Sequence, residues 1–205
     1  MNCFDAPTVA VLFARTDSNY KAIPGCDVYD IERDARTYGG GLPVVAHPPC
    51  RGWGRLSYFA KPAPGELDLG YFGVDQVRRN GGVLEHPKDS KLWAAAGLPR
   101  PGDVDAWGGW TLPISQHWWG HRAEKLTWLY IVGCVPHDIP TPPMRLGDAT
   151  HVIVGSRVRR ADGSRLRKGM AGWRPEVGKA EREHTPPMLA AWLVELARRC
   201  TGTQP

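Results

Sequence analysis

The sequence predicts an α/β fold in which a mostly parallel sheet carries helices on both faces, and three observations support it. Short apolar runs of strand length alternate with segments of helical spacing. Several runs end in polar residues, as strands do at the ligand-binding edge of an open α/β sheet. The 205 residues, 42% of them hydrophobic, are enough for one domain with a proper core. We therefore expect a Rossmann-like core over residues 1–134, a small basic β insert over 135–180 and a C-terminal helix within 181–205 that returns to the core.

The individual elements follow from local patterns in chain order. Short segments rich in apolar residues predict strands at 9–14, 27–31, 42–46, 82–87, 126–132 and 151–154. Helical spacing of apolar residues predicts helices at 32–38, 67–80, 90–96 and 187–199. Glycines end the first two of these helices, and Thr185 is the expected cap of the last one. Only about a dozen residues separate the first two strands, which is too short for a full crossover helix with its two loops.

The composition indicates the cellular compartment in which we expect the protein. The five cysteines are odd in number, widely scattered and free of any CxxC pair, which disfavours a secreted disulfide framework. No apolar stretch reaches the roughly 18 residues of a membrane span, and the start MNCFDAPTVA lacks the pattern of a signal peptide. We expect a cytoplasmic protein that has no membrane partner.

The tetrapeptide His47-Pro48-Pro49-Cys50 follows the third predicted strand, and Glu85 closes the fourth. If these strands are parallel neighbours, Cys50 and Glu85 meet at one edge of the sheet. A thiolate beside a carboxyl group suits attack on a heteroaromatic ring, because the cysteine adds to the ring while a protonated carboxyl donates to a ring nitrogen. Arg122 is a candidate to lie beside the thiolate and favour its ionised form.

The order of these motifs resembles the cytosine-5 DNA methyltransferases. The family's catalytic strand, which ends in Pro-Cys, is similar to residues 44–50 (VVAHPPC), and its Glu-Asn-(Val/Pro) motif is similar to 84–87 (LEHP). Its Arg-bearing stretch ahead of a strand resembles 120–128 (GHRAEKLTW), in the divergent form of phage-encoded members. Its Arg-x-x-Thr-Pro stretch resembles 183–190 (EHTPPMLA), and its variable target-recognition region corresponds to 135–180.

This resemblance implies a methyltransferase-like transferase with DNA as its partner. Cys50 would be the nucleophile that adds to the base, Glu85 would engage a ring nitrogen, and Arg122 would orient the substrate or favour the thiolate. The base would have to leave the stack if it lay in a duplex. The implied cofactor is S-adenosylmethionine, and the residues expected to bind it are Phe13, Asp17, Asp30 and Glu32. The family's glycine-rich cofactor turn is missing, since the first glycine is Gly25.

Three other interpretations stay open. The first is an inert or repurposed DNA-binding protein, because segment 157–168 holds six Lys or Arg against one Asp. Its candidate phosphate contacts are Arg157, Arg159, Arg160, Arg165, Arg167 and Lys168. The second is a different nucleotide-binding enzyme that uses the polar loop 15–21. The third is a zinc enzyme, because the pairs His47 with Cys50 and His117 with His121 have ligand-like spacing.

Overall fold

A computed structural model describes residues 8–54, 57–143, 145, 147–154, 162–164 and 166–200. Six strands form one sheet: β1 (Val9–Leu12), β2 (Cys26–Tyr29), β3 (Val44–Ala46), β4 (Gly82–Pro87), β5 (Trp110–Ser115) and β6 (Leu126–Val132). Four α-helices accompany it: α1 (Asp68–Asn80), α2 (Lys91–Ala95), α3 (Lys179–Glu183) and α4 (Pro187–Arg199). Short 3₁₀ turns lie at Asn19–Ala22, Ala35–Thr37, Ser57–Phe59 and Gln116–Trp119.

The strand order in the sheet is β2-β1-β3-β4-β6-β5. The first three neighbouring pairs are parallel, and β6 is antiparallel to both β4 and β5. This mixed sheet confirms the α/β class that the sequence predicts. The narrower prediction of a Rossmann-like, mostly parallel arrangement is not confirmed.

Helices cover both faces of the sheet because each strand points alternate side chains to opposite sides. On one face, Val9 and Val11 of β1 belong to the apolar cluster that includes most of α4. On the other face, Ala10 and Leu12 belong to the cluster that includes α1. Burial on both sides explains why β1 is a continuous apolar run rather than an alternating one.

The sequence locates some elements well and misses others. The predicted bounds of β4, β6 and α4 match the structure, whereas β1, β2 and β3 are each shorter than expected. Strand β5 was not predicted, since it contains Pro113, and it lies at the edge of the sheet, where a missing N–H is tolerated. Thr185 is not the cap of α4, because the helix begins at Pro187 after Pro186. A short 3₁₀ turn replaces the helix expected at 32–38.

The region predicted as a basic β insert lies partly outside the described residues. Within its described part, the expected strand 151–154 is reduced to two isolated bridges, from His151 to Ala123 and from Val152 to Glu176. Segment 135–180 therefore stays a prediction as a separate unit. In the part of the chain that the structure describes, no helix is both long and apolar enough to cross a membrane.

Candidate active site at the carboxyl ends of the parallel strands

Strands β3 and β4 are parallel neighbours, with Val45 paired to Val83 and Ala46 paired to Leu84. Their carboxyl ends therefore reach the same edge of the sheet, which brings the residues after β3 close to Glu85 at the end of β4. Beyond β3 the chain turns tightly at Cys50, whose carbonyl oxygen accepts hydrogen bonds from the backbone N–H groups of Trp53 (3.0 Å) and Gly54 (2.9 Å). Cys50 is exposed at this edge.

A chain of hydrogen-bonded side chains connects the ends of these strands. The carboxylate of Glu85 lies 3.1 Å from Nδ1 of His47 through its Oε2 atom. Nε2 of His47 is 2.8 Å from the hydroxyl of Tyr20, which comes from the 3₁₀ turn after β1. Nε2 of Gln116, which follows β5, donates to Oε1 of Glu85 at 3.0 Å. Four elements of the fold thus supply this cluster, and only its glutamate was expected to act in the site.

The hydrogen bonds fix the direction of proton donation along this chain. Tyr20 is buried, burial raises the pKa of its hydroxyl well above the ordinary value, and among the described residues its hydroxyl oxygen bonds only to His47. The hydroxyl therefore keeps its proton and donates it to Nε2, since a buried unpaired O–H is costly. His47 then carries its own proton on Nδ1 and donates it to Glu85.

Glu85 is held as a carboxylate. Burial by itself would raise the pKa of Glu85, but the hydrogen bond from His47 and the positive charge of Lys125 outweigh it and lower the pKa to about 2. The expectation that Glu85 is a protonated donor is therefore not met in the resting protein, where the group is an acceptor.

Cys50 carries its proton at rest. Although the residue keeps exposed surface, the protein atoms packed around its sulfur, followed by the negative charge of Glu85, raise the pKa of the Cys50 thiol, while Lys125 acts in the opposite direction. Arg122, the cation expected beside the thiolate, lies elsewhere: its Nε donates to Glu181 at 2.9 Å and its Nη1 is 3.2 Å from His151. Lys125 takes its place as the cation that acts on both Cys50 and Glu85.

A cleft of about 400 Å³ lies where β1 has β2 on one side and β3 on the other, and its lining does not include Glu85, His47, Tyr20 or Gln116. Such topological switch points are where open α/β sheets bind ligands, in cavities of roughly 300–1,000 Å³. Its lining includes Phe13, which follows β1, Asp30, which follows β2, and Pro49, which follows β3. Phe13 has a backbone φ of 62°, a left-handed conformation that bulky residues seldom adopt.

Two of the four residues expected to bind a cofactor line the cleft, namely Phe13 and Asp30. The carboxylate of Asp30 already has an ion pair with Lys21, 2.6 Å from its Nζ, and accepts the backbone N–H of Glu32. Asp17 and Glu32 are not among the lining residues, and the side chain of Asp17 pairs with Arg15 at 2.8 Å. The binding of a cofactor by these four residues stays a prediction, and only two of them lie at the cleft.

The histidines of the zinc interpretation are committed to other contacts. His47 is part of the hydrogen-bonded chain above, and Nδ1 of His117 and Nδ1 of His121 lie 2.9 Å from the carbonyl oxygens of His121 and Ala123, respectively. Within the described ranges, no group of three or more His, Cys, Asp or Glu side chains is placed to hold a metal ion.

The basic residues predicted to contact phosphates lie mostly outside the described residues. This applies to Arg157, Arg159, Arg160 and Arg165. Arg167 and Lys168 are described and exposed.

Comparisons of the chain with protein-family models, with curated proteins and with solved structures found no match.

Proposed function

We propose that this protein is methyltransferase-like and engages a pyrimidine base of nucleic acid at the carboxyl edge of β3 and β4, with Cys50 as the nucleophile. The observation that carries the proposal is the parallel pairing of these two strands, which brings the loop of Cys50 and the carboxylate of Glu85 to one edge. Glu85 is close enough for its charge to raise the pKa of the Cys50 thiol. The resemblance to cytosine-5 DNA methyltransferases supports the same pair of residues.

The chemistry that these residues support is a reversible addition to the ring. The thiol of Cys50 loses its proton to solvent, and its sulfur forms a bond to C6 as the C5–C6 π electron pair moves toward C5. Lys125 favours the thiolate that this step needs. Glu85 holds the polar edge of the ring. Reversal breaks the S–C6 bond, restores the double bond and returns the proton to sulfur.

The cleft lined by Phe13, Asp30 and Pro49 is suited to a small-molecule methyl donor. Its volume of about 400 Å³ and its contributions from the loops after β1, β2 and β3 fit a nucleoside-containing molecule such as S-adenosylmethionine. Phe13 and Asp30 would contact it. Bound there, S-adenosylmethionine would supply an electrophilic methyl group for the activated C5.

Covalent trapping tests the proposal directly. Single-stranded oligonucleotides with one 5-fluorocytosine or one 5-fluorouracil are incubated with the protein and S-adenosylmethionine, and adducts are resolved on a denaturing gel. Fluorine does not leave C5 as a cation, so the S–C6 bond persists after methylation. We expect an adduct with the native chain, its loss in Cys50→Ser and its retention in Cys26→Ser, which changes another free cysteine. Absence of any adduct, with the methyl donor shown by calorimetry to bind, contradicts the nucleophilic role.

A second candidate function is binding without chemistry. The raised pKa of the Cys50 thiol favours it, because a thiol that stays protonated is a poor nucleophile. Trapping separates the two functions: a binding module retains the oligonucleotides in a native gel, gives no covalent adduct and is indifferent to Cys50→Ser.

A further inference from the structure

We propose that the base engaged at Glu85 presents a ring N–H rather than a ring nitrogen lone pair, which makes its ligand a uracil-type base, uracil or thymine, instead of cytosine. The inference rests on the proposed function and goes beyond the family resemblance, which points to cytosine. It follows from the hydrogen-bond directions around a single carboxylate.

Each carboxylate oxygen of Glu85 accepts one hydrogen bond from a side chain of the protein. His47 donates to Oε2 at 3.1 Å, and Gln116 donates to Oε1 at 3.0 Å. The direction at His47 is set by Tyr20, whose buried hydroxyl must donate to Nε2. The direction at Gln116 is set in the same way, because turning its amide over would place its carbonyl oxygen against the carboxylate.

Glu85 therefore offers only acceptor sites to a ligand. A carboxylate has about four lone-pair sites, and two of them remain after His47 and Gln116 have bonded. The side chain keeps 12% of its surface exposed, so a ligand at the edge of the sheet can reach it. Lys125 supplies positive charge to the same place.

The Watson–Crick edge of uracil or thymine differs from that of cytosine at the ring nitrogen N3. Uracil and thymine have an N3–H between two carbonyl oxygens, so N3 can donate to Glu85 while the carbonyl groups face a cationic environment. Cytosine has a lone pair at N3, which is repelled by the carboxylate if N3 faces Glu85, so only its exocyclic amino group can donate there. If the ring nitrogen N3 is what faces Glu85, a site built to accept its hydrogen bond discriminates strongly against a base that has no N–H at that position.

Equilibrium binding with matched oligonucleotides tests this selectivity. Single-stranded probes of otherwise identical adenine sequence carry one central dU, one dC or one N3-methyl-dU, and single strands avoid the cost of removing a base from a duplex. We expect dU to bind at least about tenfold more tightly than either of the others, and the preference to disappear at a pH high enough to deprotonate N3. Equal binding of dU and N3-methyl-dU, or tighter binding of dC, overturns the inference.

Tyr20→Phe tests the positioning role of the hydroxyl, and Tyr38→Phe is its matched control. Tyr38 is also buried, but its hydroxyl bonds to the backbone of Leu42 on the other face of the sheet. Loss of the Tyr20 hydroxyl frees His47 to change tautomer, so the ratio of dU to dC affinity should fall severalfold in Tyr20→Phe and stay unchanged in Tyr38→Phe. A purely structural role would lower both affinities together and leave the ratio intact, which would refute the positioning role.

The outcomes also separate this inference from the proposed function. If all three probes bind no better than an all-adenine oligonucleotide, no pyrimidine site exists, and both fail. If a pyrimidine is bound with dC preferred, the proposed function survives and the uracil-type selectivity is wrong. The pH dependence of the native chain gives a result even if Tyr20→Phe does not fold.

Discussion

In the resting protein, the negative charge of Glu85 favours the protonated form of the Cys50 thiol, which is a poor nucleophile. A carboxylate near a thiol raises the pKa of the thiol, because it disfavours a second negative charge. The same carboxylate is stabilised by His47 and Lys125 and stays ionised. The resting site therefore contains an acceptor and a protonated sulfur, and a substrate or a charge change must shift the balance before Cys50 can attack.

This balance predicts how fast Cys50 reacts with iodoacetamide. In the native chain we expect the rate to rise with pH and to level off only above the ordinary thiol pKa of 9.0, because only the thiolate reacts. Glu85→Gln removes the negative charge, so the pKa should fall and the rate at pH 8 should rise severalfold. Peptide mapping by mass spectrometry distinguishes Cys50 from the other cysteines.

Glu195→Gln is the control for that experiment, since it neutralises an exposed carboxylate on α4. Its rate profile should match that of the native chain. A Glu85→Gln profile that also matches the native one would show that Glu85 does not set the pKa of Cys50.

At the level of single residues, the sequence identified Cys50 and Glu85 but not Tyr20 and Gln116, which are the two ends of the hydrogen-bonded cluster. Cys50 and Glu85 directly follow or close recognisable apolar runs, so their positions could be predicted. Tyr20 and Gln116 reach the cluster from segments distant in sequence, and nothing in a local pattern shows that Gln116 lies 3.0 Å from Glu85. Arg122 was chosen because its motif matched, whereas the fold places Lys125, three residues later, near the carboxylate.

At the level of elements, the approach of β3 to β4 depends on one glycine. Gly82 has a φ of +120°, and a Cβ there would overlap the carbonyl oxygen of Val44. The strand begins at this position, so the pairing that places Glu85 beside the loop of Cys50 starts from a contact that only glycine permits.

Gly82→Ala should therefore destabilise the protein by about 3 kcal/mol or more, since it combines steric overlap with backbone strain. Gly102→Ala is the matched control, because Gly102 also has a positive φ of +97° but a Cβ added there would meet no atom within 4 Å; its cost should be about 1 kcal/mol. Urea denaturation measures both. Similar losses for the two variants would mean that the contact with Val44 is unimportant.

Elements were predictable where burial on both faces produced an unbroken apolar run. Strand β6 comes nearest to this, because it is buried at all positions after Leu126, and β4 begins with the buried residues Gly82, Val83 and Leu84. Strand β5 contains polar residues and Pro113, and only its pairing with β6 makes it a strand. The strand predicted at 151–154 has no such partner among the described residues and forms single bridges instead. Tertiary pairing, rather than local preference, decided both cases.

At the level of the whole molecule, part of the positive charge is concentrated in one segment of the chain that precedes α4. The net charge is +5, and six of the 26 Lys and Arg residues fall within segment 157–168. The chain then returns through α4, whose apolar side packs on β1, β3 and β4. Of this segment, Arg167 and Lys168 are described and exposed, so under the proposed function they are the candidates to contact a nucleic acid backbone.

The salt dependence of oligonucleotide binding tests that role. For single strands, each phosphate contact adds about 0.7 to the slope of log affinity against log salt concentration. The double variant Arg167→Gln with Lys168→Gln should therefore lower the slope by up to about 1.4 and weaken the dU and dC probes equally, because phosphate contacts carry no base information. Fluorescence anisotropy at several salt concentrations gives both quantities.

Arg79→Gln with Arg100→Gln removes the same charge from exposed positions elsewhere on the chain. If segment 157–168 contacts phosphates, the slope in this control stays at the native value. Equal reductions of the slope in both double variants would mean that net charge alone attracts the oligonucleotide. An unchanged slope in the Arg167→Gln, Lys168→Gln variant would mean that other residues contact the phosphates. Base selectivity would then depend on Glu85 whichever surface holds the backbone, because the described hydrogen bonds that orient this carboxylate come from His47 and Gln116.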